Sequence, residues 1–170
     1  MNIKTDISLH KYLASNDDLK LFTAGNEHYS LLSTVSHEYN NVNIYDIGTY
    51  KGLSALALSS NSTNKIISYD IGYFVTIQRP TNVEFRIGDV YNDSNIFKSP
   101  LIMLDVDPHD GIYETNFINY LSTNNYKGIV VCDDIHLNTG MKQFWNSVQQ
   151  EKIDYTNVGH WSGTGAVLFK

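Results

Sequence analysis

Residues 45–56 read YDIGTYKGLSAL, a glycine-rich turn set between an apolar stretch and a run of leucine and alanine. Gly48 and Gly52 stand four apart, and an acid, Asp46, precedes the first glycine by two residues. A turn of this kind between strand and helix brings a ligand close to the backbone. Around it, short apolar strands alternate with helical stretches. Strands are expected over 43–47, 65–69, 83–87, 100–104 and 128–132, and helices over 27–39, 53–59, 113–121 and 141–150. The tail, YTNVGHW and TGAVLFK joined by Ser162–Gly163, reads as an antiparallel hairpin. Alternating strand and helix means an α/β fold, a doubly wound and mostly parallel sheet with helices on both faces.

Composition bounds the rest. At 170 residues, 42% of them hydrophobic and 18% charged, the chain suits one globular domain over 1–170, with 1–26 as a helical N-terminal extension. A net charge of −6 with scattered basic residues lacks the footprint of a nucleic-acid binder. Cys132 is the only cysteine, which excludes a disulfide framework and a cysteine-based zinc cluster. No apolar run approaches ~18 residues and Met1–His10 lacks the core of a signal peptide, so no membrane partner and a cytoplasmic location are expected.

In such a sheet ligands sit beyond the carboxyl ends of the strands. Each of the first five strands closes on acids there: Asp46, Asp70, Asp89, Asp105, and the pair Asp133 and Asp134. One acid at a strand end is ordinary turn chemistry, but a row of them repels itself unless cations or hydroxyl donors intervene. The glycine turn matches neither the phosphate loop G-x-x-x-x-G-K-[ST] nor the dinucleotide fingerprint G-x-G-x-x-G, and Asp46 would repel a phosphate. Asp70 suits vicinal ribose hydroxyls and Asp89 the exocyclic amine of a base. The ligand that satisfies these sites is a cationic, phosphate-free adenosine derivative.

DIGTYKGLSAL resembles the first motif, D/E-x-G-x-x-x-G, of class I S-adenosylmethionine-dependent methyltransferases. The sequence is most similar to the small O-methyltransferases of the sugar and catechol type, over roughly residues 27–170. The resemblance implies a Rossmann-like sheet of order 3-2-1-4-5-7-6, with the final hairpin as strands six and seven. It implies Asp46, Gly48, Thr49, Tyr50, Gly52 and Ser54 around the methionine part of S-adenosylmethionine, Asp70 on the ribose and Asp89 near the adenine.

A second constellation joins LDVDPHDG to CDDIHLN. A right-handed strand–helix–strand unit brings Asp105 and the Asp133–Asp134 pair to neighbouring strand ends about 5 Å apart. Three carboxylates without cysteine suit a hard ion such as Mg²⁺. The resemblance places a metal at the same three positions, whereas simple capping of turns by Asp107, Asp110 and Asp134 is the alternative. A metal on an acceptor hydroxyl lowers its pKa, and a nearby base removes the proton. His109 and His136 lie within reach in sequence, and the resemblance favours His109. His160 and Trp161 could touch an acceptor, with Trp161 more often a core residue. His10, His28 and His37 are expected in solvent.

The run after Asp105, DVDPHDGIYE, is longer than the D-x-D-H-x-Y-E of similar enzymes, which leaves Asp105 and Asp107 as rival ligands. The chain also lacks their long lid segments, so the pocket is open, is completed by a second subunit in a homodimer, or takes a large glycan. Two other readings stand beside a sugar or small-diol O-methyltransferase. One is a Mg²⁺-dependent phosphatase using the D-x-D loop, which would need that loop on the first strand. The other is a non-catalytic S-adenosylmethionine-binding module.

Overall fold

The structure is a computed structural model that describes residues 26–170. The helical extension expected over 1–26 lies, up to residue 25, outside the described residues. Along the chain come α1 (Asn26–Ser36), β1 (Asn43–Ile47), α2 (Leu53–Leu58), β2 (Lys65–Asp70), β3 (Val83–Ile87), β4 (Leu101–Leu104), α3 (Ile112–Thr123), β5 (Gly128–Asp133), α4 (Thr139–Ser147), β6 (Glu151–Asp154) and β7 (Thr164–Phe169). The strands form one seven-stranded sheet in the order 3-2-1-4-5-7-6. β1 to β5 pair in parallel, and β7 runs antiparallel between β5 and β6.

Successive side chains of a strand point to opposite faces, and here both faces are covered. Tyr45, Ile47, Ile102, Leu104, Val130 and Cys132 pack with Phe117 and Leu121 of α3 and Met141 and Phe144 of α4. Ile44, Ile66, Leu101, Met103 and Val131 belong to the other layer, with Leu31, Leu32 and Val35 of α1 and the whole apolar run of α2. Burial on both faces explains why these strands read as continuous apolar runs rather than as alternations.

Two connections stand out. No helix joins β2 to β3; residues 71–82 cross as an irregular segment broken by Gly72 and Pro80, with Val75 and Ile77 laid on the α1–α2 layer. The second departs from the sequence-based expectation: the sixth strand is Glu151–Asp154 and not residues 155–161. The helix before it stops at Ser147, where Lys152 Nζ donates to the carbonyls of Trp145 and Val148. Asp154 Oδ1 then accepts from the Thr156 amide at 2.9 Å and from its hydroxyl, which turns the chain out of the strand. Residues 155–163 therefore form a loop, not half of a tight hairpin, and this loop folds back over the end of β5.

Gly48 sets how closely the turn after β1 meets β4. Its N–H donates to the Tyr69 carbonyl at 2.9 Å, while the Asp105 N–H donates to the Ile47 carbonyl at 2.8 Å. Its φ is 95°, and a Cβ there would fall 1.5 Å from the carbonyl oxygen of Asp105. Only glycine satisfies both conditions. Gly48→Ala is expected to cost at least about 3 kcal/mol of stability, read from urea unfolding, because strain and a backbone clash add.

Candidate active site

The carboxyl ends of β1, β2 and β3 carry one half of the site. After Gly48 the chain stays left-handed at Tyr50, with φ of 42°. The Tyr50 N–H donates to Asp70 Oδ2 at 2.8 Å, so the acid that ends β2 holds the glycine turn in place. Beneath it Asp46 is fully buried. Its Oδ2 accepts from the Ser68 hydroxyl at 2.6 Å, and Thr49 Oγ1 lies 2.6 Å from that same hydroxyl. The other oxygen, Asp46 Oδ1, has no hydrogen-bond partner. Loss of hydration pushes the Asp46 carboxyl up to about 6, against the pull of the Ser68 and Ser54 hydroxyls.

Thus Asp46, Gly48, Thr49, Tyr50, Gly52, Ser54 and Asp70 gather about one turn. Asp89 stands one strand further along, exposed, with Oδ1 accepting from the Tyr91 N–H at 3.0 Å. Along the chain between Asp70 and Asp89 four large side chains are exposed, Ile71 (90%), Tyr73, Phe74 and Ile87 (64%), and two of them are isoleucines. The sequence reading missed both. The available signal was an isoleucine placed directly beside a strand-end acid, where a polar turn residue is usual.

The ends of β4 and β5 carry the other half. Asp105 is partly exposed and its ligand atom clusters with those of His109 and Asp134, whereas the Asp107 side chain is 93% exposed and lies outside that cluster. Asp133 and Asp134 are buried, and Asp134 has φ of 59°. Loss of hydration, followed by the charges of Asp133, Asp134 and Asp46, raises the Asp105 carboxyl well above its usual range. His109, also left-handed at φ 54°, places Nδ1 3.5 Å from Asp134 Oδ2 and Nε2 3.1 Å from Asp107 Oδ1. The third left-handed non-glycine residue on this edge is Tyr50, so backbone strain collects where the acids do. Asp110 does serve as a cap, accepting from the Ile112 N–H at 2.8 Å.

His136 turns from the acids: its Nε2 lies 2.7 Å from Asp154 Oδ2. His160 takes the place nearer to them, with Nδ1 3.2 Å from both Asp133 Oδ2 and Asp134 Oδ1. Burial would lower the His160 pKa, but hydrogen bonds to the two carboxylates outweigh it and raise it to about 10. Burial would likewise raise Asp134, and hydrogen bonds from His160 and Ser162 instead hold it below its usual value. Two expectations fail here. His28 is buried, not solvated, with Nδ1 3.8 Å from Asp133 Oδ1, and Trp161 is 70% exposed rather than core. Glu114, absent from the sequence-based set, is buried at the start of α3 with Oε2 unpartnered, and burial raises its pKa.

No protein-family model matches the chain, and no curated protein matches its sequence. Solved structures do match its fold. A methyltransferase of Podospora anserina bound to S-adenosylhomocysteine superposes with a TM-score of 0.60 at 14% identity, over 96% of this chain and 87% of that one. An O-methyltransferase of Bacillus cereus, also with S-adenosylhomocysteine, gives 0.55 at 15% identity over 99% and 93%. The O-methyltransferase TomG of Streptomyces achromogenes, which takes part in tomaymycin synthesis and was solved with S-adenosylmethionine, gives 0.58 at 14% over 100% and 93%. The chain has the fold of S-adenosylmethionine-dependent O-methyltransferases. That fold sets the D-x-D run on the fourth strand, not the first, and so removes the premise of the phosphatase reading.

Asp46 also fixes a pH dependence. Its folded pKa lies above its ordinary 3.8, so the native state keeps a proton that the unfolded chain releases between about pH 4 and 6. Stability from this group is therefore full below pH 4, falls as pH rises to 6, and stays lower above it, by up to about 3 kcal/mol. Asp46→Asn is expected to be more stable than wild type at pH 7 and no more stable at pH 4, as urea midpoints at the two pH values would record.

Proposed function

We propose that the protein is an S-adenosylmethionine-dependent methyltransferase acting on a hydroxyl of a sugar or other small diol, with a divalent metal ion at Asp105, Asp133 and Asp134. The observation that carries the reading is the bare Oδ1 of Asp46. A buried carboxylate oxygen without a donor is costly unless a cationic ligand completes it, and it lies directly beneath the glycine turn. The raised Asp105 carboxyl makes the matching case for the metal: acids that push one another's pKa up fit a cation between them.

When bound, S-adenosylmethionine supplies an activated methyl group, and the divalent ion supplies Lewis acidity toward the acceptor hydroxyl. The chain's own residues do the rest. Asp46 offers its free oxygen to the positive charge of the methionine part. Asp70, fixed by the Tyr50 amide, accepts from the ribose hydroxyls, and Asp89 from the exocyclic amine of adenine. Ile71 and Ile87 flank those two acids and offer an apolar bed for the base. His109 receives the proton of the acceptor hydroxyl on Nε2, with Nδ1–H oriented by Asp134 and the exposed Asp107 giving way to the acceptor. His136, paired to Asp154, has no part in this step. The open edge beside the exposed Trp161 leaves room for a glycan.

Calorimetric titration of S-adenosylmethionine is expected to give micromolar binding that weakens about 10- to 100-fold in Asp70→Ala, since charged hydrogen bonds are lost. Absence of binding by well-folded wild-type protein would sink the proposal. With labelled S-adenosylmethionine and a panel of sugars, diols and catechols, transfer is expected to stop in EDTA. His109→Gln is expected to lower kcat by about 10² to 10⁴ while cofactor affinity is unchanged. Binding without transfer to any hydroxyl would favour the non-catalytic module.

A further inference from the structure

Two donor sets meet at Asp134. Ligand atoms of Asp105, His109 and Asp134 lie within 4.8 Å of one another, and so do those of Asp133, Asp134 and His160. The two oxygens of Asp134 divide between them, Oδ2 toward His109 and Oδ1 toward His160. The second set is the tighter. His160 Nδ1 stands 3.2 Å from one oxygen of each aspartate, close to the roughly 3 Å that separates neighbouring donors around a six-coordinate ion with ligands near 2.1 Å. Asp133 is also held from behind. Asp133 Oδ1 faces Thr164 Oγ1 at 3.4 Å and His28 Nδ1 at 3.8 Å, which leaves Oδ2 for His160. Ser162 Oγ donates to the same Oδ1 of Asp134 and lies 2.8 Å from His160 Nδ1, so it stands among these donors and fixes both. Outer donors that fix the direction of ligating groups belong to built metal sites.

We propose that His160 is a metal ligand of this centre, so that the ion is held by Asp133, Asp134 and one imidazole and is a first-row transition ion rather than Mg²⁺. This rests on the metal-assisted reading above and changes its donor set. Mg²⁺ keeps oxygen ligands and water, whereas imidazole favours transition ions. The ligand comes from the 155–163 loop, which the early end of β6 at Asp154 makes long enough to reach β5.

The probe is Mn²⁺, followed by calorimetry and by pulsed electron paramagnetic resonance, in wild type, His160→Gln, His160→Asn and His109→Gln, each checked by its S-adenosylmethionine affinity. Bound Mn²⁺ is expected to show nitrogen modulation from a directly coordinated imidazole in wild type and His109→Gln and to lose it in both His160 variants. Mn²⁺ affinity should fall at least 10-fold in those variants, with Mg²⁺ affinity little changed. Three results would overturn the proposal: bound Mn²⁺ without nitrogen coupling, coupling that persists without His160, or tighter Mn²⁺ binding once His160 is removed. The last would make the histidine a built-in counter-ion. No Mn²⁺ binding at all would remove the metal from both readings, while retained cofactor binding would leave methyl transfer standing.

Discussion

Carboxylates placed side by side with little water between them set the terms for the whole carboxyl edge of the sheet. Asp105 is driven up by its own lost hydration and by Asp133, Asp134 and Asp46, which means that four acids on three adjacent strands sense one another. Repulsion of this size stays in a fold only where positive charge or hydroxyl donors answer it. The protein answers it unevenly. Ser68 serves Asp46 Oδ2, His160 serves Asp133 and Asp134, Ser162 serves Asp134, and Asp46 Oδ1 has no hydrogen-bond partner.

The backbone is arranged to bring these acids together. Gly48 lets the first turn press on the carbonyl of Asp105, and three non-glycine residues, Tyr50, His109 and Asp134, sit in the left-handed region on that edge. Each such residue is held by its surroundings at a cost in local strain. The two packed layers supply that hold: β1, β4 and β5 are covered on both faces by helices, so their ends cannot drift apart to relieve the charge. Packing and repulsion oppose each other, and packing prevails.

Much of this could be read in the chain. The acids that end the strands are also the punctuation that marks where strands stop, so the fold and the candidate site were visible through the same residues. Asp46, Asp70 and the glycine turn were legible because their spacing is local. What escaped depends on distance along the chain. His28 is buried only because α1 lies over the end of β5, some hundred residues later, and nothing near His28 announces that. The β6 error has a local cause that propensity hides: YTNVGHW has strand-forming residues, but the Asp154–Thr156 turn bends the chain before they can pair. That single turn frees His160 to reach the acids and leaves Trp161 outside.

Asp46 shows how the site and the fold are weighed against each other. A neutral residue in its place would relieve the desolvation that raises its pKa, and the hydroxyls of Ser68 and Ser54 would still find an acceptor. The acid therefore costs the unliganded fold stability at neutral pH. A group retained at a stability cost, with one oxygen bare and the other fully hydrogen-bonded, is shaped for a state in which something positive lies against it. Proteins commonly carry such destabilising groups where they bind or react. The same logic does not extend to Glu114: it too is buried with a bare oxygen, but it lies at the start of α3, where the helix's first amides reach it. The difference between the two buried acids is their place: Asp46 leads into the glycine turn at the carboxyl edge of the sheet, and Glu114 lies within α3.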